Sequence, residues 1–242
     1  MKKLGLGILI GILALTFSGV MVIAKAITPQ DKGKANAPDL EKIEFIHYKK
    51  DFAKPAGKPA KQPSCYKFFP AKVRWVSFPV SYVINPQNPQ NLTQEFIGSA
   101  VSTSAETWDA ATVRDLMNDN YTFDSSIAYG VQNFENAITF GNYPTAGVIA
   151  VTTVWYNPAT KAIVEFDMMF DTDWMWGDAT VNLGAMDLQN IATHELGHGV
   201  GLSDVYETNC SLVTMYGYSD YGETQKRDLA APDIKGLQTL YP

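Results

Sequence analysis

Two histidines four residues apart offer the clearest chemistry in this 242-residue sequence. His194 and His198 lie within Asn-Ile-Ala-Thr-His-Glu-Leu-Gly-His-Gly-Val-Gly-Leu-Ser-Asp, residues 190–204. Residues four apart share one face of an α-helix, so both imidazoles can bind one metal ion. Glu195 points about 100° further round the helix and can reach the open side of that ion without ligating it. The spacing predicts a zinc-binding helix in which Glu195 is the general base.

The third protein ligand of a catalytic zinc must come from a residue other than a nearby histidine. The sequence has three histidines, and the one not yet mentioned, His47, lies far upstream. Gly201 can turn the chain back after the helix, because glycine adopts positive φ freely. Asp204 then arrives with a carboxylate oxygen, an acceptable zinc ligand. The predicted ligands are His194, His198 and Asp204; the alternatives are an amphipathic helix with two hydrogen-bonded histidines and a metal site without catalysis.

The zinc-helix segment resembles that of the matrixins, the matrix-metalloproteinase-like branch of the metzincin zinc peptidases. The resemblance rests on His194-Glu195-Leu196-Gly197-His198 followed by Gly201-Leu202. The family motif ends in a third histidine where this chain has Asp204, an ending similar to that of snapalysin-like metzincins. Downstream, residues 211–217 resemble the Met-turn of the family and residues 233–241 its last helix. Upstream, residues 72–84 resemble its first strand.

This resemblance implies an α+β metzincin fold, with a mixed twisted β-sheet and about three α-helices. It implies a zinc endopeptidase acting on extended peptides or proteins, with Met215 as an apolar floor beneath the zinc. It also implies that the strand near Ile149 to Thr153 is a sheet edge that pairs with substrate. Without the resemblance, a plain core strand is an equal interpretation. A non-catalytic binding protein with a zinc fold and a zinc amidase of another substrate class remain the rival functions.

Charge is unevenly distributed along the chain, and its pattern bears on possible partners. The overall formal charge is −6, yet residues 63–242 contain 8 Lys or Arg and 20 Asp or Glu. So acidic a region argues against nucleic-acid binding, which needs phosphate-neutralising cations. We expect a monomer whose partner is an extended peptide, with a single domain over residues 63–242.

The N-terminal region has the features of export and linker segments. Residues 1–26 are typical of a signal peptide, although the apolar run over residues 4–24 is long enough to be an uncleaved membrane anchor. Both alternatives predict a secreted or extracytoplasmic protein. Residues 27–62 are rich in Lys and Pro, which favours a linker or a short pro-segment. Residues 43–48 could form one short strand, and His47 within them is expected to be solvated.

Two cysteines and a group of aspartates suggest further features. In an exported protein, Cys65 and Cys210 are expected to form a disulfide, with a zinc-capping Cys65 thiolate in a zymogen as the alternative. Acidic side chains cluster around residues 170–174, and hard oxygen ligands at this density make calcium a candidate beside one catalytic zinc. A solvated acidic turn is an equal interpretation of that cluster, which comprises Asp167, Asp171, Asp173 and Asp178.

Hydrophobic patterning predicts the elements that position these residues. Alternation over residues 73–85 predicts a first strand, and residues 93–109 have the apolar spacing of a packed helix. The β-branched run from Gly147 to Trp155 predicts a strand, with its partner from Ala162 to Phe170. Asp187 is a sound N-cap for the zinc helix, and Pro232 suits the first turn of a final helix.

Overall fold

A computed structural model describes residues 39–53 and 64–242, and within them three α-helices accompany eleven strands. The helices are α1 (Gln94–Asp109), α2 (Leu188–Gly199) and α3 (Ala231–Leu240). The strands are β1 (Glu41–Lys49), β2 (Lys67–Phe68), β3 (Val83–Ile84), β4 (Thr122–Phe123), β5 (Ala137–Gly141), β6 (Val148–Tyr156), β7 (Ile163–Asp171), β8 (Trp176–Gly177), β9 (Met186–Asp187), β10 (Leu202–Ser203) and β11 (Tyr218–Ser219). Short 3₁₀ turns cover Lys50–Phe52, Pro70–Lys72, Thr208–Cys210 and Gln225–Arg227.

One mixed sheet of seven strands organises the molecule, in the order β11-β1-β6-β7-β5-β3-β4. Strands β4, β3, β5 and β7 are parallel neighbours, whereas β6 is antiparallel to β7. Strand β1 is antiparallel to β6 and parallel to β11. The predicted α+β architecture, with a mixed sheet and three helices, is therefore confirmed.

The two long helices pack together on the sheet. Thr93 caps α1 by accepting the amide hydrogen of Phe96. The buried Trp108 of α1 donates its indole N–H to the carbonyl of Thr193 in α2, at 2.8 Å. Every residue of β6 is buried, as its β-branched sequence predicts. The core thus lies between the sheet and the two helices, and it holds α2 rigidly.

Two sequence-based expectations need correction in the N-terminal half of the described chain. The strand predicted over residues 73–85 is reduced to β3, with isolated bridges at Arg74 and Val80. Residues 41–49, expected to be linker apart from one short strand, form all of β1 inside the main sheet. The sheet therefore begins upstream of residue 63, where the domain was expected to start.

The prediction of an export signal concerns residues that the structure does not describe. Residues 1–26, the expected signal peptide, and the apolar run 4–24 lie outside the described residues. Within residues 39–53 and 64–242, no helix combines the length and the apolar character needed to cross a bilayer.

Candidate active site

Helix α2 carries the predicted metal ligands and begins at a well-fixed cap. The carboxylate of Asp187 accepts the amide hydrogen of Asn190 at 2.8 Å, which satisfies one free N–H of the first helical turn. The same carboxylate accepts a hydrogen bond from Arg227 Nε at 2.8 Å. The start of α2 is thereby linked to the loop before α3, and the predicted N-cap is confirmed.

The two histidines of α2 point the same ring nitrogen at one spot. Each donates its Nδ1 hydrogen to a backbone carbonyl: His194 to Thr214 at 2.7 Å and His198 to Leu202 at 2.8 Å. These carbonyls assign the proton to Nδ1 and leave both Nε2 atoms as lone-pair donors. Two backbone carbonyls thus fix the orientation of the rings, as hydrogen bonds to the second nitrogen of metal-binding histidines usually do.

Asp204 completes the predicted set. Its Oδ1 lies 3.2 Å from His194 Nε2 and 3.5 Å from His198 Nε2. Both His194 Nε2 and Asp204 Oδ1 are buried and make no hydrogen bond of adequate geometry. Buried polar atoms normally have partners. Together with a ring nitrogen of His198, these two atoms form a group of three possible metal ligands that lie within 4.8 Å of one another. Such a donor set fits a zinc ion.

The charge states of His194 and Asp204 suit a cation. Burial lowers the pKa of His194 to about 4, and the charge of Lys226 acts in the same direction. Burial tends to raise the pKa of Asp204, yet the adjacent His198 and His194 hold it well below its usual value. A neutral imidazole and an ionised carboxylate are the forms that bind metal.

The turn after α2 brings Asp204 back to the helix. Gly201 has φ of +100°, and a Cβ there would lie 2.5 Å from the carbonyl oxygen of Val73. Glycine is thus required for both conformation and space, as predicted. The hydroxyl of Tyr206 donates to Asp204 Oδ2 at 2.9 Å. Tyr206 therefore orients the carboxylate, a role that no sequence pattern indicated.

Glu195 lies beside the ligands without joining the set. Its Oε2 accepts a hydrogen bond from the hydroxyl of Thr152 in β6 at 2.6 Å. Its Oε1 lies 3.2 Å from Nδ1 of His47. Burial raises the pKa of this carboxyl to about 7. A carboxylate with a pKa near neutrality, whose Oε2 is held by Thr152 and whose Oε1 meets, among the described residues, only the side chain of His47 in β1, is suited to accepting and returning a proton.

Met215 is fully buried beneath α2. A Cβ on Gly197 would lie 2.2 Å from the Met215 sulfur, so the two elements are in close contact at that glycine. The buried carboxylate of Asp233 accepts the amide hydrogens of Thr214 and Met215 at 2.9 and 3.1 Å. Asp233 in α3 thus holds the turn whose Thr214 carbonyl orients His194. The role of Met215 as a floor beneath the zinc stays a prediction, and sequence analysis gave the carboxylate of Asp233 no role.

His47 is the main correction at the site, because it is not solvated. Only 1% of its surface is exposed, and its ring centre lies 3.9 Å from that of His194. Two positions earlier in β1, Phe45 stacks on His198 with ring centres 4.0 Å apart. Burial lowers the pKa of His47 well below its usual value, with His194 and Lys226 adding to the effect. The ring is therefore neutral, with Nδ1 donating to Glu195.

Strand β1 also changes the expectation for β6. By resemblance, the segment Ile149 to Thr153 was expected to be a free sheet edge. In the structure β6 lies between β7 and β1, and Phe45 pairs with Thr152. Residues of the chain itself thus occupy the edge expected for substrate.

A buried lysine lies on the far side of His47. Lys226 Nζ is 3.1 Å from His47 Nε2 and 2.8 Å from Ser219 Oγ. It also donates to the carbonyls of Tyr216 and Tyr218. Burial lowers the pKa of this ammonium to about 7. Sequence analysis gave Lys226 no role.

The two cysteines are bonded to each other. The Cys65 and Cys210 sulfurs are 1.97 Å apart, with Cα atoms 5.3 Å apart. The predicted disulfide is confirmed, so in this state the Cys65 thiolate of the alternative does not cap the metal ligands.

The aspartates considered for calcium take separate roles. Asp167 accepts amide hydrogens from Gly130 and Ala137, and Asp171 accepts those of Tyr143 and Asp173. Asp178 forms an ion pair with Arg227. Among the described residues, these carboxylates do not appear in any group placed to hold a metal.

Comparisons with known proteins agree with this geometry. A family model described as Matrixin matches residues 74–242. Human matrix metalloproteinase-20 is 26% identical over 189 residues, covering 75% of this chain and 36% of the human protein. Metalloendoproteinase 2-MMP of Arabidopsis thaliana is 30% identical over 192 residues, covering 73% and 45%. Human matrilysin is 28% identical over 177 residues, covering 73% and 61%. The chain therefore spans between about a third and three fifths of these relatives.

Proposed function

The chain belongs to the matrixin family, and from this membership we propose that it is a zinc-dependent endopeptidase. One observation carries the proposal: two histidine nitrogens and an aspartate oxygen converge beside a buried glutamate, and two of these three atoms, His194 Nε2 and Asp204 Oδ1, are buried without a hydrogen-bond partner. His194, His198 and Asp204 would hold one zinc ion. Bound zinc supplies Lewis acidity to water and to the carbonyl of the scissile peptide bond.

Glu195 has a defined part in the proposed reaction. Thr152 holds its Oε2, whereas Oε1 faces the strand that crosses the site. Oε1 would take the proton of the attacking water and pass it to the leaving amine. The carboxyl is poised for both steps because burial raises its pKa to about 7.

We also propose an extracytoplasmic location and a peptide partner. The Cys65–Cys210 disulfide is typical of oxidising compartments, which fits the export signal expected in residues 1–26. An extended peptide would be the substrate, recognised by a monomer through strand pairing with β6. Tethering to a membrane would require residues 4–24 to remain uncleaved.

The first test compares the chain with Glu195→Gln, which keeps the shape and removes the base. Zinc per chain is quantified, and cleavage of labelled casein is measured. Because β1 crosses the site, both versions are also assayed with Glu44→Pro, which removes one backbone N–H of β1. We expect Glu195→Gln to retain zinc and to lose activity by about 10²- to 10⁴-fold.

Two other results would decide against this reading. Equal cleavage by both proteins would remove Glu195 from the mechanism. Stoichiometric zinc with no cleavage of casein or of a peptide library, in any variant, would favour the non-catalytic binding protein instead.

A further inference from the structure

Strand β1 lies in the groove between β6 and β11. It pairs antiparallel with β6, where Phe45, Ile46 and His47 lie opposite Thr152, Val151 and Ala150. It pairs parallel with β11, where Tyr48 lies opposite Tyr218. An extended segment with strand partners on both sides has the form of a peptide bound by β-augmentation.

The inward side chains of β1 cover the metal ligands. Phe45 stacks on His198 and His47 lies against His194, so the backbone at Ile46 passes directly over the ligand set. The same stretch faces Glu195, whose Oε1 accepts the Nδ1 hydrogen of His47. The backbone of β1 around Ile46 is therefore the stretch flanked by the proposed ligands and base.

Interactions at both ends keep β1 in the groove. At its start, the hydroxyl of Tyr156 in β6 donates to the carboxylate of Glu41. At its end, Lys49 pairs with Asp220 at 3.1 Å, and Lys50 forms an ion pair with Glu223. The groove and its occupant thus match in charge as well as in strand pairing.

The side chain of His47 enters a pocket that presents hydrogen-bond donors. Its Nε2 accepts, because Nδ1 carries the proton, and it lies 3.1 Å from both Ser219 Oγ and Lys226 Nζ. Lys226 is fully buried, and its three N–H groups have acceptors in the carbonyls of Tyr216 and Tyr218 and in Ser219 Oγ. Because Ser219 Oγ accepts from Lys226, the hydroxyl hydrogen of Ser219 is left to donate to the side chain in the pocket. An apolar side chain in this place would leave the buried hydroxyl hydrogen of Ser219, oriented by Lys226, without an acceptor, which costs free energy.

We propose that Lys226 makes the pocket beside Glu195 selective for a side chain that accepts a hydrogen bond; β1, the chain's own occupant of the groove, places His47 in that pocket. The inference rests on the proposed function, since it assigns the groove to the substrate. The ligand class is an extended peptide with histidine, glutamine or glutamate in the place of His47. In the intact chain, the occupied groove excludes other peptides.

The occupancy is tested by peptide binding, which requires no cleavage. Full-length Glu195→Gln is prepared with Glu44→Pro and, as matched control, with Glu44→Ala. Glu44 is exposed, so both changes spare the core, and only proline removes the strand N–H. A labelled peptide of residues 41–49 is titrated with EDTA present. We expect the proline variant to bind it at least tenfold more tightly; equal affinities would overturn the proposal.

The selectivity is tested with peptides that carry His, Gln, Glu or Leu at the position of His47. On the Glu44→Pro background, we expect the leucine peptide to bind at least tenfold more weakly than the glutamine peptide. Lys226→Met should abolish that difference. If the leucine peptide bound as tightly as the His, Gln and Glu peptides, the proposal would be overturned. This comparison changes only the peptide, so it does not depend on whether the Lys226→Met variant folds.

The two proposals can fail separately. If the peptides bind as expected but no variant cleaves casein, the groove assignment stands and the endopeptidase proposal fails. If the chain cleaves casein while Glu44→Pro and Glu44→Ala bind the peptide equally, the occupancy proposal alone fails.

Discussion

Asp204 shows how a single residue depends on neighbours that its motif does not contain. The spacing from His194 to Asp204 was sufficient to predict that these side chains and His198 converge, because helix geometry and one glycine turn are local properties. The orientation of the carboxylate depends on Tyr206, whose hydroxyl donates to Oδ2 and leaves Oδ1 facing the histidines. The pattern that locates the ligand therefore does not reveal what holds it.

Tyr206→Phe removes this hydrogen bond and little else. We expect zinc affinity to fall about 10- to 100-fold, the usual effect of removing a hydrogen bond that orients a metal ligand. Competition with a chromogenic chelator measures it. Tyr221→Phe, at an exposed tyrosine whose ring packs against Trp174, is the matched control. Equal affinities in the two variants would show that Tyr206 does not position Asp204.

His47 and Lys226 mark the limit of residue-level prediction. Sequence analysis gave neither residue a role, and the lysines of residues 27–62 pointed to a solvated chain around His47. Their importance comes from pairing between β1 and the strands β6 and β11, more than 100 residues away. Contacts of that range leave no periodic signal in either segment.

Elements with strong local signals were predicted closely. Helix α1 begins one residue after its predicted start, and α2 begins after its predicted cap. Strands β6 and β7 differ from the predicted strands by one residue at each end. The strand expected over residues 73–85 fails because its alternation is not matched by sheet partners along its length. Caps and β-branched runs act locally, whereas strand length is set by the neighbours.

The turn between α2 and β10 provides a test at this scale. Gly201→Ala introduces a Cβ at φ of +100°, 2.5 Å from the Val73 carbonyl oxygen. Gly130→Ala is the control, because φ there is +80° with nothing within 4 Å of the added atom. We expect the control to cost about 1 kcal/mol of unfolding free energy, from backbone strain alone.

Gly201→Ala should cost about 3 kcal/mol or more, because the clash with backbone adds to the strain. It should also weaken zinc binding, since the turn delivers Asp204. Urea denaturation and chelator competition measure the two effects. Similar unfolding midpoints for both variants would mean that the turn relaxes freely.

At the scale of the whole molecule, the disulfide joins Cys65, at the start of residues 64–242, to the loop after Asp204. Cys65 and Cys210 are 145 residues apart in sequence. In the chain-entropy model, closing so long a loop stabilises the folded state by about 4–5 kcal/mol. The double variant Cys65→Ser/Cys210→Ser should lose about that amount in urea denaturation. A midpoint equal to that of the oxidised parent would refute it, and the reduced parent serves as control.

The disulfide also limits how far β1 can travel. Cys65 follows the end of β1 by 16 residues and is bonded to the domain that β1 must leave. A displaced β1 therefore stays at an effective concentration on the order of millimolar. A free peptide at micromolar concentration competes poorly against such a tethered rival, whatever its side chains. Cutting the chain between Lys50 and Cys65 would lower that local concentration to the bulk value, so one proteolytic nick could act as an irreversible trigger.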